Sequence, residues 1–317
     1  MSKENKEKKI QKKLLKHRVY SKIDKVPGGR AGEEITQGCI VLEGGALLGL
    51  YTAGVLDGLM LMGINMQTTI GVSAGAMFGM GYVSGQIGRE AKFNLSNRFN
   101  QRYIGAGAEF YDHSFFSLPY LFDDSHYDEP FDAERFYKPE RRFLAVATDC
   151  NTGQPAFFEK GKCKNIFEGI RASATIPVLS AMVEIDGGKY LDGCCSLNIP
   201  YQWALDEGFD KIIVVRTKER TYRQRVFTQA EKQMVRRRYH AFPELAETFA
   251  WSAERFNEEC DELDRLEAEG RIFVIAPSRV ITHHRAETDV EKIGTLYRLG
   301  LHDARHAGKK IRKYLGI

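Results

Sequence analysis

Ser73 is the residue whose surroundings most clearly suggest chemistry. It is the centre of a Gly-Val-Ser-Ala-Gly segment at residues 71–75, after a β-branched run and before a stretch rich in Ala, Met and Gly. A serine in a tight strand-to-helix turn exposes its hydroxyl, and glycines on either side let the strand and helix approach closely. The following helix dipole favours negative charge there. The pattern predicts a nucleophilic serine, with an ordinary small-residue turn as the alternative.

A second Gly-rich loop, Glu-Gly-Gly-Ala-Leu-Leu-Gly at residues 43–49, also joins a short apolar strand to a helix. It lacks the Gly-Lys-Ser/Thr of a phosphate-binding P-loop, and its glycines are out of register for a dinucleotide-binding Gly-x-Gly-x-x-Gly. Free backbone N–H groups at a helix start bind anions. One strand–helix–strand unit separates this loop from Ser73, so both loops are expected at the carboxyl ends of adjacent parallel strands. We expect an oxyanion hole here.

A serine nucleophile needs a base, and two candidates compete. Asp192 lies where a predicted strand enters a turn of small residues, and a carboxylate within hydrogen-bond distance of the hydroxyl serves as sole base. His283 and His284 follow a predicted strand and are the best histidines for a conventional triad. An ordinary turn explains Asp192-Gly193 equally well. The residues alone leave the choice of base open.

Taken together, these segments resemble the patatin-like phospholipase family. Residues 43–49 are similar to its Gly-rich oxyanion loop, and residues 71–75 to its serine elbow. Residues 192–194 are similar to its Asp-Gly motif, with an Asn and a Pro shortly after. Residues 171–177 resemble the Ala/Ser-rich block that lies near the site. The resemblance covers about residues 39–217.

The resemblance implies that Ser73 is the nucleophile and Asp192 the base of a dyad without histidine. It places the oxyanion hole at the backbone amides of Gly44, Gly45 and Ala46. It implies a serine esterase of the lipase or phospholipase type that hydrolyses lipid acyl esters, in which Ser73 is acylated and water then attacks the acyl-enzyme. It also implies that no metal and no organic cofactor takes part.

Two residues depart from the family's oxyanion loop. Ala46 stands where the family has a third glycine, a change that a right-handed helical or extended backbone tolerates. Leu48 stands where the family usually has Arg or Lys. The missing cation favours a neutral ester or a lysolipid over a phospholipid. It also motivates an alternative function, a patatin-fold protein that binds lipid or a partner with little turnover.

Strands and helices alternate along the part of the chain that must position these residues. This order predicts an α/β fold of three layers, α/β/α, with a mostly parallel central sheet and a helical C-terminal extension. Residues 228–269 predict a long helix broken near Pro243. The predicted strands are residues 39–42, 68–72, 143–148, 211–216 and 272–276, with a further, antiparallel one at 155–158.

The composition of the chain, 317 residues with 43% hydrophobic and 28% charged, supports a sizeable core and excludes disorder throughout. Its net charge of +4 is uneven, because residues 1–30 carry eleven Lys and Arg against three acids. The remainder is mildly acidic, which argues against a nucleic-acid-binding core. We expect a flexible basic tail at 1–35, a catalytic domain at 36–217 and a mostly helical extension at 218–317 that contributes a strand.

The basic tail is either a solvated arm or a segment that makes peripheral contact with anionic membranes. The six cysteines form no Cys-x-x-Cys pair, so neither a zinc ribbon nor a compact disulfide framework is expected. No segment reads as a signal peptide or as a membrane-spanning helix, and we expect a cytoplasmic, reduced protein. The oligomeric state is not predicted.

Overall fold

The strands in the described part of the chain form one large sheet and one short ribbon. The computed structural model describes residues 19–112, 116–123 and 129–317. In the large sheet the strand order is β10-β9-β2-β3-β5-β8-β7, and β6 pairs with the remaining edge of β5. The ribbon is β1 paired with β4. The strands within the described residues are β1 (Gly29–Arg30), β2 (Thr36–Leu42), β3 (Met66–Val72), β4 (Gln86–Ile87), β5 (Arg142–Asp149), β6 (Pro155–Glu159), β7 (Val183–Ile185), β8 (Gly188–Asp192), β9 (Ile212–Val215) and β10 (Phe273–Ile275).

Helices fill most of the connections between these strands. The predicted break near Pro243 is present, and a second break at Trp251 divides the region into three helices. The helices within the described residues are α1 (Leu50–Leu61), α2 (Ala74–Val83), α3 (Arg89–Asn97), α4 (Ala106–Asp112), α5 (Leu118–Phe122), α6 (Ala133–Tyr137), α7 (Ile166–Ser173), α8 (Tyr201–Asp206), α9 (Gln229–Arg238), α10 (Pro243–Ala250), α11 (Ser252–Ala268) and α12 (Val290–Leu315).

The parallel part of the sheet runs through β10, β9, β2, β3 and β5. Leu42, at the end of β2, pairs with both Gly71 of β3 and Val215 of β9. The loops that follow these strands therefore emerge side by side at one edge of the sheet. Asp192 reaches the same edge from the antiparallel strand β8, where it pairs with Ala147 of β5.

The two faces of the sheet are covered by different helices, because successive strand residues point to opposite sides. Ile40 and Leu42 of β2 belong to a core shared with α1, α2 and α12. Cys39 and Val41 of the same strand belong to a core shared with α8 and α11. The fold is therefore the predicted three-layer α/β/α arrangement, with a mostly parallel sheet in the middle.

The C-terminal helix α12 is part of the main core. It crosses α1 where both helices carry glycine, and a Cβ on Gly54 would overlap the carbonyl of Tyr297. A Cβ on Gly300 would likewise overlap the carbonyl of Tyr51. Such backbone-to-backbone contact is possible only without side chains. The extension thus covers α1 instead of forming a separate appendage.

The predicted flexible tail at residues 1–35 lies partly outside the described residues. From residue 19 onward the chain is packed on the body: Tyr20, Val26 and Ala31 are buried. The side chain of Tyr20 lies against Gly294 of α12, and β1 pairs with β4. Buried apolar side chains and ladder hydrogen bonds fix this segment, so the body begins well before the predicted boundary at residue 36.

The contact between α1 and α12 predicts a strong effect of one methyl group. Gly300→Ala should lower the free energy of unfolding by about 3 kcal/mol or more, because the obstructing atoms are backbone and cannot rotate away. Urea denaturation followed by circular dichroism measures this change. Gly32→Ala is the matched control, since nothing lies within 4 Å of its added Cβ. Equal stability of the two variants would contradict the described contact.

Candidate functional site

Ser73 sits in a strained turn between β3 and α2. Its backbone angles are φ 52° and ψ −121°, a conformation that a residue with a side chain rarely adopts. The Ser73 N–H donates to Oγ of Ser173 at 2.8 Å. Oγ of Ser173 in turn donates to the carbonyl of Val146 at 2.6 Å. This relay between three chain segments holds the turn in place.

The glycines on either side of Ser73 are required by backbone contacts. A Cβ on Gly71 would lie 2.5 Å from the carbonyl carbon of Gly75 and 2.6 Å from the nitrogen of Ala76. A Cβ on Gly75 would overlap the carbonyl of Leu42. The Gly-x-Ser-x-Gly pattern therefore reflects how closely α2 approaches β2 and β3.

The hydroxyl of Ser73 is in direct contact with a buried carboxylate. Its Oγ donates to Oδ2 of Asp192 at 2.7 Å, and the other oxygen, Oδ1, accepts from the Cys194 N–H at 2.9 Å. The Asp192 N–H donates to the carbonyl of Thr175 at 2.9 Å. Ser73 is 6% and Asp192 4% exposed. The two residues, 119 positions apart in the chain, thus form a water-poor pair.

Burial raises the pKa of Asp192 above its usual range. The hydrogen bonds from the Cys194 N–H and the Ser73 hydroxyl, and the positive charge of Arg285, oppose this rise. A carboxylate with a raised pKa is a stronger base than a free one, and a low-dielectric site strengthens its bond to the hydroxyl. The arrangement is chemically able to accept the serine proton without a histidine.

The three amides of the loop at residues 44–46 have different surroundings. The Gly44 N–H donates to the carbonyl of Asn198 at 3.4 Å. In contrast, Gly45 and Ala46 line a cavity with Ser73, and no bond from either amide to another described residue is found. Two of the three predicted donors therefore belong to residues of the cavity wall.

Ala46 and Leu48, the two unusual residues of this loop, have separate structural consequences. Ala46 has φ 49°, so the expectation of a right-handed or extended backbone here is wrong. This left-handed region favours glycine because an alanine Cβ is crowded by neighbouring backbone atoms. Leu48 is buried in the main core and does not line the cavity. Leu48 therefore contributes to core packing and forms no part of the cavity wall.

The two candidate histidines lie outside the wall of the Ser73 cavity. His283 and His284 are not among the residues that line the Ser73 cavity, whose serine hydroxyl donates to Asp192. Burial lowers the pKa of His283. Its carbonyl accepts from Lys218, which also binds the carbonyl of Ile281 at 2.6 Å. The lysine therefore ties down the backbone of the loop that carries the two histidines.

The cavity beside Ser73 has a volume of about 390 Å³ and a mixed lining. Asp192 and Arg285 are the only charged residues of its described wall. Much of the remaining wall is apolar, which suits the acyl chain of a lipid. The apolar contributors are Ile176, Pro177, Leu179, Phe227 and Phe249.

The sequence reasoning missed three residues that hold or line the site. Ser173 lies in the Ala/Ser-rich block at 171–177, so the sequence indicated the segment but not the bond to Ser73. Arg285 lies in an irregular loop, where its carbonyl accepts from the Leu47 N–H at 3.1 Å. Glu259 of α11 is buried, and its carboxylate accepts from the Ile199 N–H at 3.1 Å. No motif marks either of the last two.

The described residues offer no group of three or more His, Cys, Asp or Glu side chains arranged to hold a metal ion. Within the same residues, no helix has the length and apolar character that crossing a bilayer requires.

Known proteins match this chain in two regions. The sequence model described as patatin-like phospholipase matches residues 40–205, and one described as a domain of unknown function (DUF6363) matches residues 242–316. The uncharacterized protein YjjU of Escherichia coli (strain K12) is 28% identical over 183 residues, covering 56% of this chain and 51% of YjjU. The match thus spans about half of that relative. The crystal structure of VipD from Legionella pneumophila aligns with a TM-score of 0.39 and 14% identity, over 84% of this chain and 67% of VipD.

The buried carboxyl of Glu259 predicts a pH-dependent stability. Burial raises its pKa to about 8, whereas the pKa of an unfolded glutamate is ~4.3. Because the folded state holds the proton more tightly, stability is fully present below the unfolded pKa and falls as pH rises through 8. Between about pH 5 and 8, Glu259→Gln should remove up to about 1 kcal/mol per pH unit of this slope.

Urea denaturation across that range measures the slope. Glu258→Gln, the exposed neighbour, is the control and should leave it unchanged. If the unfolding free energy of Glu259→Gln changes with pH as steeply as that of the wild type, the pKa of Glu259 does not differ between the folded and unfolded states.

Proposed function

Because the chain belongs to the patatin-like phospholipase family, a family of lipid acyl hydrolases, we propose that it is a serine esterase that cleaves lipid acyl esters with a Ser73–Asp192 dyad. The observation that carries the proposal is the 2.7 Å hydrogen bond from Ser73 Oγ to Asp192 Oδ2, beside a largely apolar cavity. A positioned carboxylate and a strained serine turn are the two parts that such chemistry needs.

In the proposed cycle Asp192 accepts the proton of Ser73 as Oγ attacks the ester carbonyl carbon. The oxygen of that carbonyl becomes an oxyanion, and the amides of Gly45 and Ala46 are the donors we assign to it. The C–O bond of the ester then breaks, the alcohol leaves with the proton, and the acyl group stays on Ser73. Water, deprotonated by Asp192, releases the acid and restores the serine.

We propose that the predicted regions 36–217 and 218–317 both contribute to the site. The proposed catalytic residues all fall within 36–217, and residues of 218–317 supply walls of the cavity: Phe249 from α10, and Phe227 and Arg285 from loops. Arg285 is the one cation of the described wall, so it is available for an anionic group of the substrate. The cytoplasm is the compartment that we propose.

The dyad predicts a sharp loss of turnover on substitution. Ser73→Ala and Asp192→Asn should each lower kcat for a lipid ester or a soluble p-nitrophenyl ester by about 10⁴-fold or more, while circular dichroism stays unchanged. A fluorophosphonate probe should label Ser73 in the wild type, as mapped by peptide mass spectrometry.

Because burial raises the pKa of Asp192, kcat/KM should fall on acidification at a pH above the ordinary carboxyl range.

Matched controls are Ser84→Ala, at the far end of α2, and Asp210→Asn, on the surface. Full activity of either dyad variant would reject the dyad. Covalent labelling of Ser73 without turnover of any lipid ester would favour the alternative, a lipid- or partner-binding protein. Loss of activity in His283→Ala or His284→Ala, with Asp192→Asn active, would favour a triad.

We also propose that the basic N-terminal segment attracts the protein to anionic membranes. Residues 1–18 carry eight Lys and Arg against two Glu, and a surface cation contributes about 1 kcal/mol near anionic lipid. Deleting residues 1–18 should weaken binding to phosphatidylglycerol vesicles in low salt, measured by sedimentation, and high salt should abolish the difference. Equal binding in low salt with and without residues 1–18 would reject a role for this segment in membrane binding.

A further inference from the structure

A strained valine stands beside the cavity mouth. Val178 is β-branched, yet its φ is 72°, a conformation that strongly disfavours such residues. Its side chain is 52% exposed, so the strain is not offset by burial in the core. A backbone outlier that the fold maintains without a packing gain suggests that the position serves a function.

The C-terminal region holds this valine in position. The Val178 N–H donates to the hydroxyl of Tyr239 at 2.8 Å, and Tyr239 itself is buried. The Ser180 N–H closes the turn on the carbonyl of Ile176 at 3.1 Å. Leu179, the next residue, lines the cavity and is still 54% exposed.

Two further exposed apolar residues lie on the segment of residues 226–239, which contains the cavity residue Phe227 and ends at Tyr239. Val226 is 45% exposed and precedes Phe227, a cavity residue whose ring packs edge-on against Phe249. Met234 of α9 is 64% exposed. We call these four exposed residues the docking rim: Val178, Leu179, Val226 and Met234.

Arginines flank the docking rim on α9. Arg237 and Arg238 follow Met234 at helical spacings of three and four, so they lie on the same side of the helix. Both are exposed, and neither forms an ion pair with a described residue, whereas Arg236 of the same helix binds Glu247. The guanidinium of Arg238 also lies over the ring of Tyr239, the residue that holds Val178.

We propose that the docking rim inserts into the surface of an anionic lipid bilayer, so that the Ser73 cavity opens onto the lipid. The proposal rests on the lipid-ester function above, because a cavity that takes an ester from a bilayer must face it. Exposed apolar side chains next to unpaired arginines match the acyl and phosphate layers of an anionic membrane. This surface is distinct from the basic N-terminal segment.

The experiment measures binding of the full chain to vesicles of equal parts phosphatidylcholine and phosphatidylglycerol. Val178→Asn combined with Met234→Gln should weaken binding about tenfold or more at high salt, where the apolar contribution remains. Arg237→Gln and Arg238→Gln should each weaken it about fivefold at low salt and little at high salt. Asn adopts positive φ more readily than Val, so Val178→Asn should fold at least as stably as the wild type.

Leu61→Asn is the matched control, an exposed leucine at the end of α1 that should leave vesicle binding unchanged. Hydrolysis of a dissolved short-chain ester should stay normal in Val178→Asn/Met234→Gln, while hydrolysis of vesicle-borne ester falls with binding. Wild-type binding by that variant, or no vesicle binding by the wild type, would overturn the docking rim. An inactive wild type that still binds vesicles through the rim would reject the hydrolase and retain the surface.

Discussion

The site depends on one hydrogen bond between the hydroxyl of Ser73 and a carboxylate that has been removed from water. A buried carboxylate is costly unless its oxygens are bonded, and here one accepts from the serine and the other from the Cys194 amide. Thr175 anchors the Asp192 amide, and Ser173 anchors that of Ser73. The sheet edge, the strained turn and the block at 171–177 all serve to bring these atoms together.

The C-terminal third of the chain completes this site from several directions. The carboxyl of Glu259 holds the Ile199 amide, next to Asn198, whose carbonyl accepts from Gly44 of the oxyanion loop. The carbonyl of Arg285 holds the amide of Leu47 in the same loop. The loop at residues 43–49 is thus held by contacts from outside residues 40–205, which gives the region matched by the domain of unknown function, residues 242–316, a structural role at the site.

The sequence predicted the layers, the parallel strands and the segments of the site, because each depends on local signals. Gly71 and Gly75 mark a close approach, and the apolar runs mark buried strands. It could not predict contacts between distant segments, such as Ser173 with Ser73 or Glu259 with the turn after Asp192. It also gave the wrong backbone at Ala46, since a positive φ at alanine is imposed by the surrounding loop and has no local signature. The catalytic roles themselves stay predictions.

The close contact between α1 and α12 at their glycines has a consequence for folding during synthesis. Ser73 and Asp192 are synthesised before residues 290–315. The apolar side of α1 stays uncovered until those residues have emerged from the ribosome and packed against it. The main core of the polypeptide therefore closes only after α12 has been synthesised. Until then the growing chain exposes the apolar side of α1 to solvent, and such a surface makes an incomplete chain prone to aggregate.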